Sequence, residues 1–334
     1  MRVDPVLNAD WFPVASSEQL AHDQPLAVRL LGEDLVLWRN EGLVMAWQDL
    51  CLHRGARLSM GQIDPGEGTL ACPYHGWRYG AGGACVHIPA HPEQQPPTRA
   101  VAKSYQVKEE YGLIWVCLGQ PASGVPTFAE WSDASYRKIL CGPYSMNAAG
   151  PRLIENFLDV AHFPFVHEAY LGDRAHAALP DYEAEITSDG VIARDIRVWQ
   201  PDPDGTGVGS LVSYTYQALR PLTARFTKHS GSHHTGGHHN GGHQFAIFLT
   251  VTPVEERRSL AWMWIAMNYA FDVPATEIRA FQDQIVAQDV PIVESQRPEA
   301  LPLDLQAELH LRSDRTAIAY RRWLRELGWT FGVA

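Results

Sequence analysis

The sequence has no long apolar run and no excess of positive charge. Lysine and arginine number 27 against 38 aspartates and glutamates, so the formal net charge is -11. A surface of this sign repels phosphates and anionic lipids, and we expect neither nucleic acid nor a membrane as a partner. The most apolar segment, residues 260–271, is shorter than the roughly 18 residues that cross a bilayer. A leader with a basic start and an apolar run is missing as well, which predicts a cytoplasmic protein.

Cysteine is scarce, and two familiar redox motifs are missing. Five cysteines, an odd number, are too few for a dense disulfide framework, so a reducing compartment is expected. The chain lacks both a G-x-G-x-x-G dinucleotide fingerprint and the cysteine spacing of plant-type ferredoxins. Any electrons from NAD(P)H must therefore reach the chain through a separate protein.

The length of the chain, 334 residues, is sufficient for two domains. Short runs rich in Val, Leu, Ile and Trp between residues 25 and 118, separated by Gly and Pro, predict a small antiparallel β domain. The pattern changes near residue 145, after two proline-rich stretches. We therefore predict one domain at 1–145, which includes an N-terminal extension, and a second at 146–334.

Two cysteine–histidine pairs lie inside the first domain. Cys51 and His53 form a C-x-H pair, and after 18 intervening residues Cys72 and His75 form a C-x-x-H pair. A [2Fe-2S] cluster of the Rieske type needs two thiolates on one iron and two imidazoles on the other. A zinc site is the alternative, but zinc ligands usually come as one cysteine pair and one histidine pair. The mixed pairs therefore favour the iron–sulfur cluster.

The loops CLHRGA and CPYHGW resemble those of Rieske proteins, with Gly55 and Gly76 where the backbone curls around the cluster. Respiratory Rieske proteins have two further cysteines that join the loops, and this chain has Ala56 and Tyr74 at those positions. The residue after Gly76 is Trp77, where the respiratory proteins have serine. Fewer hydrogen bonds to the cluster sulfurs predict a low reduction potential, which favours an oxygenase over a quinol-oxidising protein.

Further potential ligands lie in the segment RLIENFLDVAHFPFVHEAYLGD. Helical spacing places Asn156 and Asp159 on one face with His162 one step further, and Pro164 is expected to end or kink the helix before His167. Two imidazoles and one carboxylate form the facial triad of non-heme Fe(II) oxygenases, although an isolated H-x4-H pair is more often structural. The segment resembles the N-x2-D-x2-H-x4-H motif of Rieske oxygenase catalytic subunits at all four positions.

This resemblance implies that His162 and His167 bind a mononuclear Fe(II). It implies that Asp159 connects a cluster histidine of the neighbouring subunit to a ligand of this iron and so forms the electron path. Asn156 would lie beside the iron. In the family the third ligand comes from a C-terminal helix.

Asp289 is the candidate for this third ligand. In ATEIRAFQDQIVAQDVPIVESQRP it falls on the apolar stripe formed by Ile278, Phe281, Ile285 and Ile292. A carboxylate that faces a core needs a partner, which a metal ion or an arginine would supply. Asp283 falls off the stripe and is expected to be solvated, while Glu294, beyond Pro291, is the alternative ligand.

Between these ligands, four segments predict strands: VIARDIRVWQ, GSLVSYTYQALR, QFAIFLTVTPVEE and RSLAWMWIAMNY. With helices on either side, they match the α+β helix-grip arrangement of the family, an antiparallel sheet folded around a helix. Aromatic side chains of these strands belong either to a substrate pocket or to ordinary core, namely Tyr214, Tyr216, Phe245, Trp262 and Trp264.

Residues 229–243, HSGSHHTGGHHNGGH, hold six of the fifteen histidines. This composition cannot bury a core and predicts a flexible hairpin tip. A tolerated polar insertion, a site for a further transition metal and a mobile lid are three alternatives for it.

The resemblance spans nearly the whole chain and implies the terminal oxygenase of a Rieske non-heme iron system. The chain looks most similar to homotrimeric demethylases of the phenoxybenzoate and vanillate type and to saxitoxin-pathway hydroxylases. Such an enzyme receives electrons from a separate reductase, directly or through a ferredoxin, and uses O2 to hydroxylate or O-demethylate a small organic molecule. An electron-transfer Rieske protein and an arene cis-dihydroxylating dioxygenase are the alternatives.

Overall fold

The computed structural model describes residues 4–203, 205, 207–230 and 243–334. The chain divides into two compact units, Met1–Val125 and Pro126–Ala334. The strand Arg137–Met146 belongs to the second unit, since it pairs along its length with Arg258–Met267. The boundary that the sequence predicted near residue 145 lies at the C-terminal end of this strand.

The N-terminal unit consists of a short helix and three antiparallel sheets. Its elements are α1 (Pro5–Asn8), β1 (Phe12–Ser16), β2 (Leu26–Leu30), β3 (Glu33–Asn40), β4 (Leu43–Gln48), β5 (Gln62–Asp64), β6 (Thr69–Ala71), β7 (Arg78–Gly80), β8 (Cys85–His87), β9 (Gln106–Glu110) and β10 (Leu113–Cys117). The strand orders are β1-β10-β9, β2-β3-β4 and β5-β6-β7-β8. Trp38, Trp47 and Tyr79 are fully buried between them. This architecture confirms the small antiparallel β domain.

The ends of short strands position the two cysteine–histidine loops. Cys51 lies three residues after the end of β4, and Cys72 follows β6 directly. The carboxylate of Asp49 accepts hydrogen bonds from the backbone N–H and the hydroxyl of Ser59 at 2.7 and 2.6 Å. These bonds close the first loop at its base, and the second loop begins directly at the end of β6.

The C-terminal unit contains a seven-stranded antiparallel sheet. Its strands are β11 (Arg137–Met146), β12 (Glu183–Thr187), β13 (Gly190–Gln200), β14 (Ser210–Arg220), β15 (Thr223–Ser230), β16 (His243–Glu255) and β17 (Arg258–Met267), in the order β11-β17-β16-β15-β14-β13-β12. Along β14 the buried positions alternate, at Val212, Tyr214, Tyr216 and Ala218, because successive side chains of a strand point to opposite faces. One face of the sheet is therefore packed and carries the aromatic residues.

Two helices precede the sheet's central strands, α2 (Gly150–Leu158) and α3 (Phe163–Val166). The prediction that Pro164 ends the first helix was wrong, because α2 already ends before Asp159. The Asp159 carboxylate accepts the backbone N–H of Ala161 at 2.9 Å and of His162 at 3.2 Å, and such local bonds compete with helical ones. Pro164 instead lies in the first turn of α3, where its missing N–H leaves no helical bond unmade.

The C-terminal helices are α4 (Ala275–Ser295) and α5 (Arg315–Glu326). Helix α4 packs against β11 and α2, and α5 packs against β12 and β13. Helix α4 contains Pro291 and continues through Glu294. Pro291 has no N–H, so the carbonyl of Ala287 has no helical hydrogen-bond donor at that position. Both residues lie on the exposed face of α4, where water can solvate this carbonyl.

The sheet with its three longer helices confirms the α+β helix-grip prediction. In the described part of the chain, no helix is both long and apolar enough for a membrane crossing.

Candidate metal centres

The two loops of the N-terminal unit have the same hydrogen-bond pattern. In each, the cysteine N–H donates to the carbonyl oxygen five residues later, at 2.7 Å for Cys51 and 2.8 Å for Cys72. Each cysteine carbonyl accepts the N–H of the glycine four residues later, at 2.9 Å for Gly55 and 3.1 Å for Gly76. Both glycines have φ near +70°, at 73° and 69°, a conformation that residues with a side chain rarely adopt. The sequence therefore folds two matched loops around one point.

The side chains of these loops fit a Rieske cluster. Cys51 and Cys72 are buried and free of disulfide bonds, and their thiols are close enough that Cys51 influences the pKa of Cys72. The rings of His53 and His75 lie 4.5 Å apart between centroids. The Nδ1 atom of His53 is buried without a hydrogen-bond partner among the described residues, as expected of an imidazole whose partner is a metal. Burial, the larger effect, and the Cys51 thiol raise the pKa of Cys72, while the amides of Tyr74 and His75 oppose that rise.

One neighbour of the cluster loops was missed by the sequence reasoning. The Tyr79 hydroxyl lies 3.3 Å from Sγ of Cys51 and accepts the N–H of Leu52 at 3.3 Å. Burial, followed by the contact with Cys51, raises the pKa of Tyr79, so the hydroxyl keeps its proton as a donor to the sulfur. The only hint in the sequence was a tyrosine in the strand after the second loop.

In the C-terminal unit, three side chains from distant parts of the sequence converge. The Nε2 atoms of His162 and His167 lie 3.2 Å apart, and Oδ1 of Asp289 lies 3.5 and 3.2 Å from them. All three potential ligand atoms lie within 4.8 Å of one another. His162 and His167 flank the short helix α3, and Asp289 comes from α4. The donor set is that of a 2-His-1-carboxylate iron site.

The opposite edge of each imidazole is held by another side chain. Nδ1 of His162 lies 2.7 Å from Oδ2 of Asp159, and Nδ1 of His167 lies 2.8 Å from Oε1 of Gln288. Because carboxylate and amide oxygens accept hydrogen bonds, both Nδ1 atoms carry the proton and both Nε2 atoms present a lone pair to the common point. Sequence reasoning predicted the contact of Asp159 and missed that of Gln288.

The charges around His162, His167 and Asp289 favour a positive charge between these three side chains. Burial alone lowers the pKa of His167, but Asp289 and Gln288 raise it above its ordinary value. Burial raises the pKa of Asp159, yet the hydrogen bonds from the His162 ring and the Ala161 amide lower it below its ordinary value. A metal cation suits this environment.

The other candidates lie at different places. Asn156 lies beside the three proposed iron ligands, with its Nδ2 atom 3.4 Å from Oδ1 of Asp289. Asp283 is exposed and accepts the Tyr144 hydroxyl at 2.6 Å. Glu294, the alternative ligand, accepts the backbone N–H of Asn147 at 2.8 Å.

The apolar stripe of α4 differs in part from the prediction. Phe281 and Ile292 are 45% and 46% exposed rather than buried. The buried row is Gln282, Ile285, Val286 and Val293, and Asp289 falls in the middle of that row. At 100° per residue, Phe281 and Ile292 lie at the margin of this face.

A cavity of about 590 Å³ lies directly against the three converging side chains. This volume is in the range of small-molecule sites. Of the predicted pocket aromatics, Tyr214, Tyr216 and Phe245 line it. Trp262 is ordinary core, with Nε1 donating to Thr252 at 2.8 Å, and Trp264 packs against Trp131. Further aromatic lining comes from Phe157, Phe163, Tyr170, Phe226, Tyr269 and Phe281.

Most of the histidine-rich tract, residues 231–242, lies outside the described residues. Its ends are the paired residues Ser230 and His243 of β15 and β16, so the tract connects two adjacent strands. Its three alternatives stay hypotheses.

Comparison with known proteins gives matches to both units. Residues 10–106 match the Rieske [2Fe-2S] domain, and residues 146–328 match the vanillate O-demethylase oxygenase C-terminal domain. The chain is 32% identical over 325 residues to methylxanthine N1-demethylase NdmA of Pseudomonas putida, covering 95% of this chain and 88% of that one. It is 29% identical over 335 residues to the vanillate O-demethylase oxygenase subunit of a Pseudomonas species, covering 93% and 92%. The structure of NdmA with caffeine superposes with a TM-score of 0.80 at 30% identity, covering 96% and 91%.

Proposed function

Because the chain belongs to the Rieske non-heme iron oxygenases, we propose that its two sets of converging side chains hold the two metal centres of that family. Cys51, His53, Cys72 and His75 hold the [2Fe-2S] cluster, and His162, His167 and Asp289 hold the mononuclear iron. The enzyme is an oxidoreductase that uses dioxygen and electrons from a separate reductase to hydroxylate or demethylate a small organic substrate. The zinc-site and electron-carrier alternatives do not account for both matched domains.

The distances among the ligand atoms support the iron assignment. Three atoms within 4.8 Å of one another can contact one ion and leave its remaining positions open toward the cavity. When bound, the iron and the cluster supply the activation of dioxygen. The protein contributes orientation: Asp159 and Gln288 fix the two imidazole rings, and Asn156 donates toward Asp289.

For the reaction, we propose demethylation of an N-methyl group on a planar heteroaromatic molecule. The aromatic wall of the cavity carries this proposal, since flat rings stack well on Phe and Tyr faces. The 32% identical relative is a methylxanthine N1-demethylase, which supports it. One oxygen atom of O2 is inserted into a C–H bond of the methyl group. The other oxygen atom is reduced to water by two electrons from the reductase and two protons. The resulting N-hydroxymethyl group loses formaldehyde and leaves N–H on the ring.

O-demethylation of a methoxybenzoate is the second candidate. The Lys228 ammonium group lies in the cavity wall, where it bonds the Gln200 side chain and the Pro203 carbonyl at 3.3 and 2.9 Å. A buried cation of this kind attracts a carboxylate.

Turnover assays separate these candidates. The purified enzyme, with a separate NADH-dependent reductase, would be supplied with caffeine or with vanillate, and oxygen uptake and formaldehyde would be measured. N-demethylation predicts formaldehyde in equal amount to the oxygen consumed with caffeine and little with vanillate, and the reverse result supports O-demethylation. His167→Ala is the control that abolishes both. Failure of wild type to release formaldehyde from a broad panel of methylated aromatics would contradict demethylation altogether.

We propose further that the active form is a homotrimer in which Asp159 receives electrons from the cluster of a neighbouring subunit. Exposed apolar side chains beside the cluster histidines support a contact with another chain there, since Leu52 and Tyr74 are 40% and 65% exposed. The side chain of Asp159 is also 30% exposed and holds His162. Both ends of the proposed path are therefore accessible.

Mixed oligomers test this path. Cys51→Ser removes a cluster ligand and His162→Ala removes an iron ligand, so each variant alone is expected to be inactive. Co-expressed in one oligomer, verified by native mass spectrometry, the two variants regain activity if electrons cross between subunits. Mixed trimers without activity would contradict the inter-subunit path, and a monomer would contradict the trimer.

A further inference from the structure

Tyr216 stands out among the residues of the cavity wall. It lies on β14 and is only 1% exposed. Its ring packs against the rings of Phe157, Tyr214 and Phe226, at centroid distances of 5.8, 5.6 and 5.1 Å. These contacts fix the ring and leave the hydroxyl as its one polar group.

The Tyr216 hydroxyl makes no hydrogen bond with any residue that the structure describes, although the residue is deeply buried. Other buried tyrosines of the same unit differ in this respect. Tyr214 accepts from Nε2 of Gln200 at 2.9 Å, Tyr182 donates to the carbonyl of Ser313 at 2.6 Å, and Tyr320 donates to the carbonyl of Pro221 at 2.6 Å. Tyr216 lines the cavity, so a hydrogen-bond partner for its hydroxyl has to come from the cavity. Phenylalanine would fill the same space without needing a partner.

The surroundings determine which kind of partner the hydroxyl suits. Burial, the largest effect, and the nearby Tyr214 raise the pKa of Tyr216 well above its ordinary value, so it stays protonated and can donate. The wall around the hydroxyl is aromatic, formed by Phe157, Tyr214 and Phe226, so an anionic acceptor would cost more to bury there than a neutral one.

We propose that the Tyr216 hydroxyl donates a hydrogen bond to a neutral acceptor on the substrate, a ring carbonyl oxygen or ring nitrogen, and so determines which aromatic molecules the cavity selects. Tyr216 and the three proposed iron ligands line the same cavity, so a ring held by this bond lies in the space that the ligands face. This inference deepens the N-demethylation proposal and rests on it for the identity of the ring, but binding tests it independently of turnover.

The test compares ligands with and without an acceptor. Caffeine and 1-methyl-2-pyridone carry ring carbonyls, whereas 1-methylindole is a planar N-methyl aromatic that lacks one. Dissociation constants would be measured by calorimetry, without oxygen, on the iron-loaded wild type and on Tyr216→Phe. We expect wild type to prefer an acceptor-bearing ligand, and Tyr216→Phe to bind that ligand about 3- to 10-fold more weakly while its affinity for 1-methylindole is unchanged.

Tyr320→Phe is the matched control, since it also removes a buried tyrosine hydroxyl from this unit and lies outside the cavity lining that the structure describes. It should leave both affinities unchanged. For a substrate that turns over, Tyr216→Phe should raise KM more than it lowers kcat.

Three results would overturn the assignment of Tyr216: equal binding of the carbonyl ligands by wild type and Tyr216→Phe, a parallel loss for all three ligands, or a wild type that does not prefer either carbonyl ligand. The parallel loss would indicate a structural role. Failure of the demethylation proposal gives a different result. In that case wild type still prefers the carbonyl ligands and Tyr216→Phe still loses this preference, but no formaldehyde is released.

Discussion

Gln288 and His167 are joined by a 2.8 Å contact between Oε1 and Nδ1, while the next residue of the same helix, Asp289, reaches the opposite nitrogen of that ring at 3.2 Å. Two consecutive residues of α4 thus hold one imidazole from two sides. The helix therefore provides both a proposed iron ligand and the group that orients a second ligand.

We expect Gln288→Leu to weaken iron binding by about 10- to 100-fold, because His167 loses the acceptor that fixes its ring and tautomer. Gln288→Glu retains an acceptor oxygen and should bind iron nearly as well as wild type. Iron affinity would be measured by titrating Fe(II) into the chelator-treated protein.

Gln284→Leu is the control for this change, since Gln284 lies one turn earlier in α4 and contacts the Tyr170 hydroxyl instead. It should leave iron affinity unchanged. Equal affinities in Gln288→Leu and wild type would show that Gln288 does not position His167.

The Tyr79 hydroxyl is expected to raise the reduction potential of the cluster, since it lies 3.3 Å from Sγ of Cys51. Tyr79→Phe should make the potential about 40 mV more negative, which corresponds to the loss of one hydrogen bond worth about 1 kcal/mol in a one-electron couple. An EPR-monitored redox titration measures it. Tyr105→Phe, a buried tyrosine of the same unit outside the two loops, should leave it unchanged. If the reduction potential of Tyr79→Phe equals that of wild type, the Tyr79 hydroxyl does not influence the potential of the cluster.

A buried ion-pair network joins α2 to α5. Arg321 donates to Glu155 at 2.5 and 2.8 Å, and its side chain is 3% exposed. Arg321→Met leaves the Glu155 carboxylate with one fewer cationic partner, and we expect the free energy of unfolding to fall by about 3–5 kcal/mol. Urea unfolding followed by circular dichroism measures this. The exposed pair Arg257–Glu299 provides the control, because Arg257→Met should cost no more than about 1 kcal/mol. Similar losses in both variants would contradict the role of the buried network.

Local sequence patterns were sufficient for the elements whose chemistry is contained in short motifs. The two loops around Cys51 and Cys72 were predictable because ligand spacing and the positive-φ glycines lie within a few residues of each other. Asp289 was selected as a candidate because a carboxylate on an apolar helix face is unusual, and the structure brings it to His162 and His167. The fold class followed from alternating strands and from the family resemblance.

Contacts between distant segments were not predictable in this way. Gln288 touches a residue 121 positions away, and Tyr79 touches one 28 positions away, so no local pattern identifies either. The end of α2 was misplaced because the Asp159 side chain bonds to its own following backbone. Pro291 does not end α4, since the exposed carbonyl of Ala287 can be solvated by water.

Metal content tests the central claim most directly. The protein would be purified anaerobically, and iron, acid-labile sulfide and the EPR spectrum of the reduced cluster would be compared for wild type, His162→Ala and the control His176→Ala, whose ring stacks on Trp199. We expect about three irons and about two sulfides per chain in wild type and His176→Ala, and about two irons in His162→Ala with the Rieske signal intact. An iron content of about two in all three proteins, from fully loaded preparations, would contradict a mononuclear iron at His162, His167 and Asp289.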